Sequence, residues 1–154
     1  MEISIVDYSP RFAKAFRTLN EQWIRSYFEI EEADRLVLGD PEGYVLNNKE
    51  GHILVAIYGN EPIGVVALIS HGEHCFELAK MAVSPAFQGK GIGLILGQEA
   101  IRKAKAHGAK RLYLDSNTVL EPAMKLYRKL GFYEIESGVS PYRRCNIQME
   151  MLFQ

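Results

Sequence analysis

Apolar and polar residues alternate over residues 2 to 7, a period of two that predicts a short strand. Ser9-Pro10 then offers an N-cap followed by proline at the first helical position, and the apolar spacing lengthens to that of a helix running to about Arg25. A second short helix is predicted from Glu29 to Leu38, and the breakers Gly39-Asp40-Pro41-Glu42-Gly43 predict a loop after it. Two nearly continuous apolar runs, Ile53 to Tyr58 and Ile63 to Ser70, flank Gly59-Asn60-Glu61-Pro62, the pattern of a β-hairpin with a longer turn. His71-Gly72-Glu73-His74 turns the chain into a third strand, Cys75 to Val83, so the middle of the sequence reads as an antiparallel meander.

After Val83 the texture changes. Ser84-Pro85-Ala86-Phe87 leads into Gln88-Gly89-Lys90-Gly91-Ile92-Gly93 and a helix to His107 that Gly108 stops. Leu112 to Leu114 is a predicted strand, Glu121 to Leu130 a helix closed by Gly131, Phe132 to Ile135 a strand, and Cys145 to Leu152 the last strand. Strand alternating with helix implies right-handed crossovers and local parallel pairing. The expected architecture is α/β (α+β), a single mixed, mostly antiparallel sheet flanked by helices. With 154 residues, no internal repeat and no linker, residues 1–154 are expected to form one domain.

Composition narrows the function classes. Hydrophobic residues at 47% and charged residues at 24% exclude disorder and fibrous repeats. Eighteen Lys and Arg against nineteen Asp and Glu leave a net charge of -1, which removes the broad positive field of a nucleic-acid binder. Cys75 and Cys145 lack CxxC spacing, so neither a metal site nor a disulfide framework is expected. Met1 to Asp7 carries no basic leader and no apolar run reaches membrane length, so a cytoplasmic protein with no membrane partner is expected.

The strand, the alternate glycines Gly89, Gly91 and Gly93, and the helix behind them form an arrangement in which backbone N–H groups converge on an anion. A pyrophosphate fits such a cradle, with Lys90 and Gln88 available for further contacts; the alternative is that the glycines relieve backbone strain. The phosphate-loop pattern GxxxxGK followed by Ser or Thr is absent. The dinucleotide pattern GxGxxG fails because Leu94 and Leu96 stand where its last glycine belongs. Asp115 is the one residue that favours an NAD-linked oxidoreductase, which stays as an alternative.

Glu77-Leu78-Ala79-Lys80-Met81-Ala82-Val83-Ser84-Pro85 followed by Gln88-Gly89-Lys90-Gly91-Ile92-Gly93 resembles the acetyl-CoA motif of the GNAT superfamily of N-acetyltransferases, Q/R-x-x-G-x-G/A after a strand ending in Val-x-Pro. Leu126-Tyr127-Arg128-Lys129-Leu130-Gly131-Phe132 is similar to the second hallmark of that family, Leu-Tyr-x-Lys-x-Gly-Phe. The resemblance implies acetyl transfer from acetyl-CoA to a primary amine of a small molecule, amino acid or peptide. It further implies that the strand at 77 to 83 splays from its neighbour and offers backbone groups of Met81, Ala82 and Val83 to the pantetheine arm. The amides of Gln88, Gly89, Lys90, Gly91, Ile92 and Gly93 would then take the pyrophosphate.

Acetyl transfer needs a deprotonated amine, a polarised thioester carbonyl and a proton for the departing thiolate. A lysine-like amine, with a pKa of about 10.4, is almost wholly protonated at neutral pH, so a base helps. Glu77 on the cofactor strand is the candidate, its alternative role being a salt bridge to Lys80; His74 reads as a turn residue. The resemblance gives Tyr127 the part of the acid at the sulfur, the alternative being a packed aromatic on a helix face. Many family members carry Asn seven positions before this tyrosine, where Leu120 stands here. Asn117 is the candidate in its place for a cofactor contact, or else a cap or turn residue.

Acceptor recognition falls on less patterned sequence. Trp23, Tyr27 and Phe28 read as core, next to the acidic Glu29, Glu31, Glu32 and Asp34 that could hold an amine. Arg143 and Arg144 offer bidentate anchors for a carboxylate, or a solvated pair of charges, which suggests an acceptor with both amine and carboxylate. A non-catalytic acyl-CoA-binding module is the alternative from another class. Pairing of an exposed final-strand edge would give a homodimer.

Overall fold

A computed structural model describes residues 2–47 and 49–154; Met1, named in the N-terminal segment above, and Asn48 lie outside the described residues and within the expected 1–154 domain. Among the described residues seven strands form one sheet: β1 (Ser4–Asp7), β2 (His52–Tyr58), β3 (Glu61–Ser70), β4 (Cys75–Val83), β5 (Arg111–Ser116), β6 (Tyr133–Ile135) and β7 (Ile147–Leu152). Their spatial order is β1-β2-β3-β4-β5-β7-β6. Every neighbouring pair is antiparallel except β4 with β5. Four helices, α1 (Ala13–Tyr27), α2 (Glu32–Gly39), α3 (Ile92–Ala106) and α4 (Glu121–Leu130), cover the sheet.

Both faces of the central strands are buried, which is why β2 and β3 read as continuous apolar runs rather than alternating ones. Leu54, Val66 and Leu68 pack with Ile92, Leu96 and Met124 on the α3 and α4 side. Val55, Val65 and Ala67 pack with Phe16, Ile24 and Leu38 on the α1 and α2 side. Two cores thus sandwich one sheet, and β4 stands at its centre with chemistry-bearing residues at its free end.

Three expectations change. The β2–β3 hairpin closes on two residues, Gly59-Asn60, because Tyr58 pairs with Glu61 and Gly59 takes the left-handed φ of +63° that such a tight turn demands. Glu42–Leu46 is a π-helical turn rather than a loop. Pro41 has a helical φ of -62°, and Asp40 Oδ1 accepts from the Gly43 amide at 3.0 Å, so the breakers start a turn here instead of preventing one. Finally, β7 is inserted between β5 and β6, pairing with both. The strand–helix–strand unit β5–α4–β6 therefore makes no parallel pair of its own, and the final strand offers no edge; the sheet's edges are β1 and β6.

Candidate active site

The parallel pair is short: only Cys75, Phe76 and Glu77 of β4 pair with Arg111, Leu112 and Tyr113 of β5. Beyond Glu77 and Tyr113 the strands part, leaving residues 78 to 83 without a partner on that side. On its other side β4 carries a bulge, for Ala79 faces Ala67 and Ala82 faces Val65, so Lys80 and Met81 together oppose one residue. Lys80 holds a φ of +54°, a left-handed conformation that costs a side-chain-bearing residue about 1 kcal/mol. The extra residue resets the alternation: Phe76 and Leu78 belong to one core, and Met81 and Val83, rather than Lys80, pack against it further along.

The split opens into a groove of about 300 Å³ lined by Met81, Val83, Gly89, Gly91, Leu126 and Tyr127, among others. Gly91 is the N-cap of α3 with a φ of +81°, and no side chain caps the helix. Gly89 also has a positive φ, +76°, and a Cβ at either glycine would meet nothing within 4 Å, so both are required by backbone conformation and leave the amides uncovered. At Gly93 the demand is different: a Cβ would lie 3.1 Å from Leu126 Cδ2, where α3 and α4 approach each other. Ala82, Gln88 and Ile92 also line the groove, whereas Lys90 is exposed and does not. The Gln88 carboxamide donates to the Val83 carbonyl at 3.1 Å, tying the loop to the end of β4.

A second cavity of about 70 Å³ adjoins the groove, sharing Trp23, Met81, Leu120 and Tyr127 with it. Glu77, Lys80, Asp115, Asn117, Tyr142 and Arg144 add its polar lining. The two candidates for acid and base therefore line one continuous space. Burial pushes the Tyr127 hydroxyl up to about 12, and its ring meets Phe132 edge-on at 6.1 Å. Glu77 has only 11% of its side chain exposed, with Oε1 2.9 Å from His71 Nε2 and 3.5 Å from the Tyr113 hydroxyl. The hydrogen bond to Glu77 raises the His71 imidazole above its ordinary value, against the opposing effect of burial.

Lys80 makes no ion pair with Glu77. Its Nζ donates to Asp34 Oδ1 at 2.5 Å and to the Tyr142 hydroxyl at 2.9 Å. Arg144 reaches the same carboxylate with both terminal nitrogens, at 2.7 and 2.6 Å. Burial alone would raise Asp34, but the Arg144 hydrogen bonds and the Lys80 charge bring it down to about 2. Lys80 answers the other way: desolvation outweighs its single carboxylate partner and lowers it from its ordinary value.

These contacts reassign several residues. The acidic neighbourhood does hold an amine, but it is the chain's own Lys80. Arg144 is committed to Asp34 and is not a free carboxylate anchor, while Arg143 is exposed, with its backbone amide on Glu31 Oε1 at 2.8 Å. Asn117 spends both ends of its carboxamide on the protein, donating to the Arg144 carbonyl at 2.7 Å and accepting from the Val119 amide at 2.8 Å. It lines the small cavity, not the groove. Trp23 and Phe28 pack on the α1 core and line the cavity, but Tyr27 is 58% exposed beside the groove. His74 is a turn residue, φ +63°, whose carbonyl accepts from Lys110 and Arg111. Asp115 is held by Ser140 and Gln148, both at 2.8 Å.

Sequence reasoning missed His71, Tyr113 and the Lys80–Asp34–Arg144 cluster. For His71 a signal existed: Ile69 faces Glu77 across β3 and β4, and His71 lies two residues further along, on the same face of the hairpin. Among the described residues no group of three or more His, Cys, Asp or Glu is arranged to hold a metal ion, and no helix is long and apolar enough to cross a membrane.

A mixed sheet split at its parallel pair, with an uncapped glycine-bounded helix start at the mouth of the split, defines the acyl-CoA N-acyltransferase fold. The model of the acetyltransferase (GNAT) family matches residues 12–132, and the chain belongs to that family. It is 34% identical over 135 residues to the N-acetylaspartate synthetase of Homo sapiens, a match that covers 85% of this chain and 44% of that protein. The chain thus spans less than half the length of that relative. Its backbone matches a GNAT-family acetyltransferase from Staphylococcus aureus Mu50 with a TM-score of 0.90 at 21% identity, over 99% of this chain and 100% of that one. The PaiA N-acetyltransferase from Thermoplasma acidophilum, solved in complex with coenzyme A, matches with a TM-score of 0.80 at 22% identity, over 99% of this chain and 100% of that one.

Proposed function

We propose that the protein is an acetyl-CoA-dependent N-acetyltransferase that acetylates a primary amine of a small molecule, amino acid or peptide. The observation that carries this reading is the continuity of the β4–β5 split, which runs from the uncapped start of α3 through Met81 to Glu77 and Tyr127. The residues present fit the co-substrate: two positive-φ glycines leave the loop amides open to a pyrophosphate, and the unpaired side of β4 matches an arm of amide groups. When bound, acetyl-CoA supplies the thioester whose acetyl group is transferred.

The chain's residues divide the remaining work. Trp23 and Tyr127 bound the space in which the acceptor amine meets the thioester, and Glu77 takes the amine's proton as nitrogen attacks. Tyr127, kept protonated by burial, gives its proton to the departing thiolate. The Lys80–Asp34–Arg144 cluster sets the cavity's shape and leaves Arg143 as the guanidinium free to meet an acceptor carboxylate. A relative named for the synthesis of N-acetylaspartate supports an amino acid among the acceptors.

The test is thiol release from acetyl-CoA with a panel of amines, with and without carboxylates. Release that depends on an amine, and that Tyr127→Phe lowers about 100-fold, is expected. Binding of acetyl-CoA with no amine-dependent release from any member would make the protein an acyl-CoA-binding module instead.

A further inference from the structure

We propose that His71 is the proton outlet of the site, receiving from Glu77 the proton taken from the acceptor amine and passing it to water. The inference rests on the reading of Glu77 as the base and adds the path by which that base is reset. Three observations carry it. Glu77 lines the cavity but is nearly enclosed, so it needs a route to solvent. His71 Nε2 stands 2.9 Å from Glu77 Oε1, within proton-transfer distance. The His71 side chain is 43% exposed, so the same ring touches the buried carboxylate and bulk water.

The proton balance closes over three transfers. The N–H bond of the attacking amine breaks as an O–H bond forms on Glu77. That O–H then breaks as Nε2–H forms, leaving carboxylate and imidazolium. The imidazolium releases its Nδ1 proton to water, leaving the Nε2–H tautomer, and proton exchange with solvent at the exposed ring restores the Nδ1–H form that accepts the next proton. Tyr113 assists at both ends: its hydroxyl is 3.0 Å from His71 Nε2 and 3.5 Å from Glu77 Oε1, so it can donate to whichever lacks a proton. The ring of Tyr113 also lies against the imidazole, with centroids 5.4 Å apart.

The charges facing His71 are Glu77 from β4 and Asp115 and Arg111 from β5, with Tyr113 as the neighbouring phenol. Glu77 in turn faces Lys80 and Tyr142. The hydrogen bond to Glu77, together with the charges of Glu77 and Asp115, outweighs burial and Arg111 and raises the ring's proton affinity above that of an isolated histidine. His71 acts through Glu77 and is a positioning residue in the reaction.

The test compares pH profiles of kcat and kcat/KM for the intact protein, His71→Gln, His71→Asn and Glu77→Gln, with and without added imidazole. Both His71 variants should lower kcat about tenfold or more with both KM values held within about twofold. Their acid limb should move to lower pH, and imidazole should restore kcat in a concentration-dependent way. An unmoved acid limb and unchanged kcat in both His71 variants, with Glu77→Gln inactive, would overturn the outlet and leave Glu77 as base. Glu77→Gln as active as the parent would overturn the reading of the base and the outlet with it.

Discussion

Lys80 and Asp34, 46 residues apart in the chain, meet at 2.5 Å with neither side chain more than 3% exposed. The pair binds the β4 bulge to the first turn of α2, where Asp34 also accepts from the Glu31 amide, and Arg144 ties the loop before β7 to the same carboxylate. One buried anion thus holds three segments around the cavity. Removing it leaves the buried Lys80 without a carboxylate and Arg144 with only Glu31, at 3.4 Å, at a cost of about 3 to 5 kcal/mol. Asp34→Ala should lower the unfolding midpoint by roughly 10 °C; a fall of less than about 2 °C would mean that the cluster contributes little.

The same carboxylate sets an acid limit. Asp34 is held at about 2 in the folded protein, below its ordinary value of 3.8, so the folded state binds fewer protons there than the unfolded chain. Its contribution is fully present above the unfolded value and is lost as pH falls toward the folded one. Chemical denaturation followed across pH 5 to 2 should show stability falling most steeply between about pH 4 and pH 2. Asp34→Asn should flatten that part of the curve.

Gly91 separates backbone strain from ligand contact. Its φ of +81° is costly for any other residue, yet a Cβ there meets nothing within 4 Å. Gly91→Ala should therefore cost about 1 to 2 kcal/mol of stability from conformation alone. It should also weaken CoA binding, because relaxation of the loop turns amides away from the pyrophosphate. Titration calorimetry of the folded variant would contradict this by returning the parent affinity for CoA.

Much of this fold was legible because its signals are local. Gly91 and Gly131 cap and close their helices as glycines do, and α3 and α4 fall where the apolar spacing puts them. The candidates Glu77 and Tyr127 came from the resemblance carried by β4 and α4. What escaped depends on pairing between distant segments. Nothing near residue 147 tells the last strand to insert beside β5, and nothing near Arg144 reveals that Asp34 will take both of its nitrogens. The π-helical turn at Glu42–Leu46 escaped for another reason. Pro41 and Gly43 break a helix in isolation, but Asp40 caps the turn, and a Cβ on Gly43 would run into the Asp40 side chain.

The proposed acid, Tyr127, offers a way to separate catalysis from binding. Burial keeps its hydroxyl protonated up to about 12, so it remains a proton donor throughout the neutral range. Tyr127→Phe keeps the ring that packs on Phe132 and removes only that proton. Turnover should fall about 100-fold, with the acetyl-CoA KM within about twofold of the parent. Equal losses in binding and turnover would make Tyr127 a wall of the groove.

The central claim is that the split between β4 and β5 is an acyl-CoA site. Thermal unfolding with acetyl-CoA, CoA, NAD and ATP, each at about 1 mM, tests it directly. A ligand present at about 100 times its Kd adds about 2.7 kcal/mol, a rise of several degrees for a chain of this size. Acetyl-CoA and CoA should raise the midpoint in the parent and raise it less in Gly91→Ala. A rise with NAD alone, or no rise with any of the four, would contradict the account.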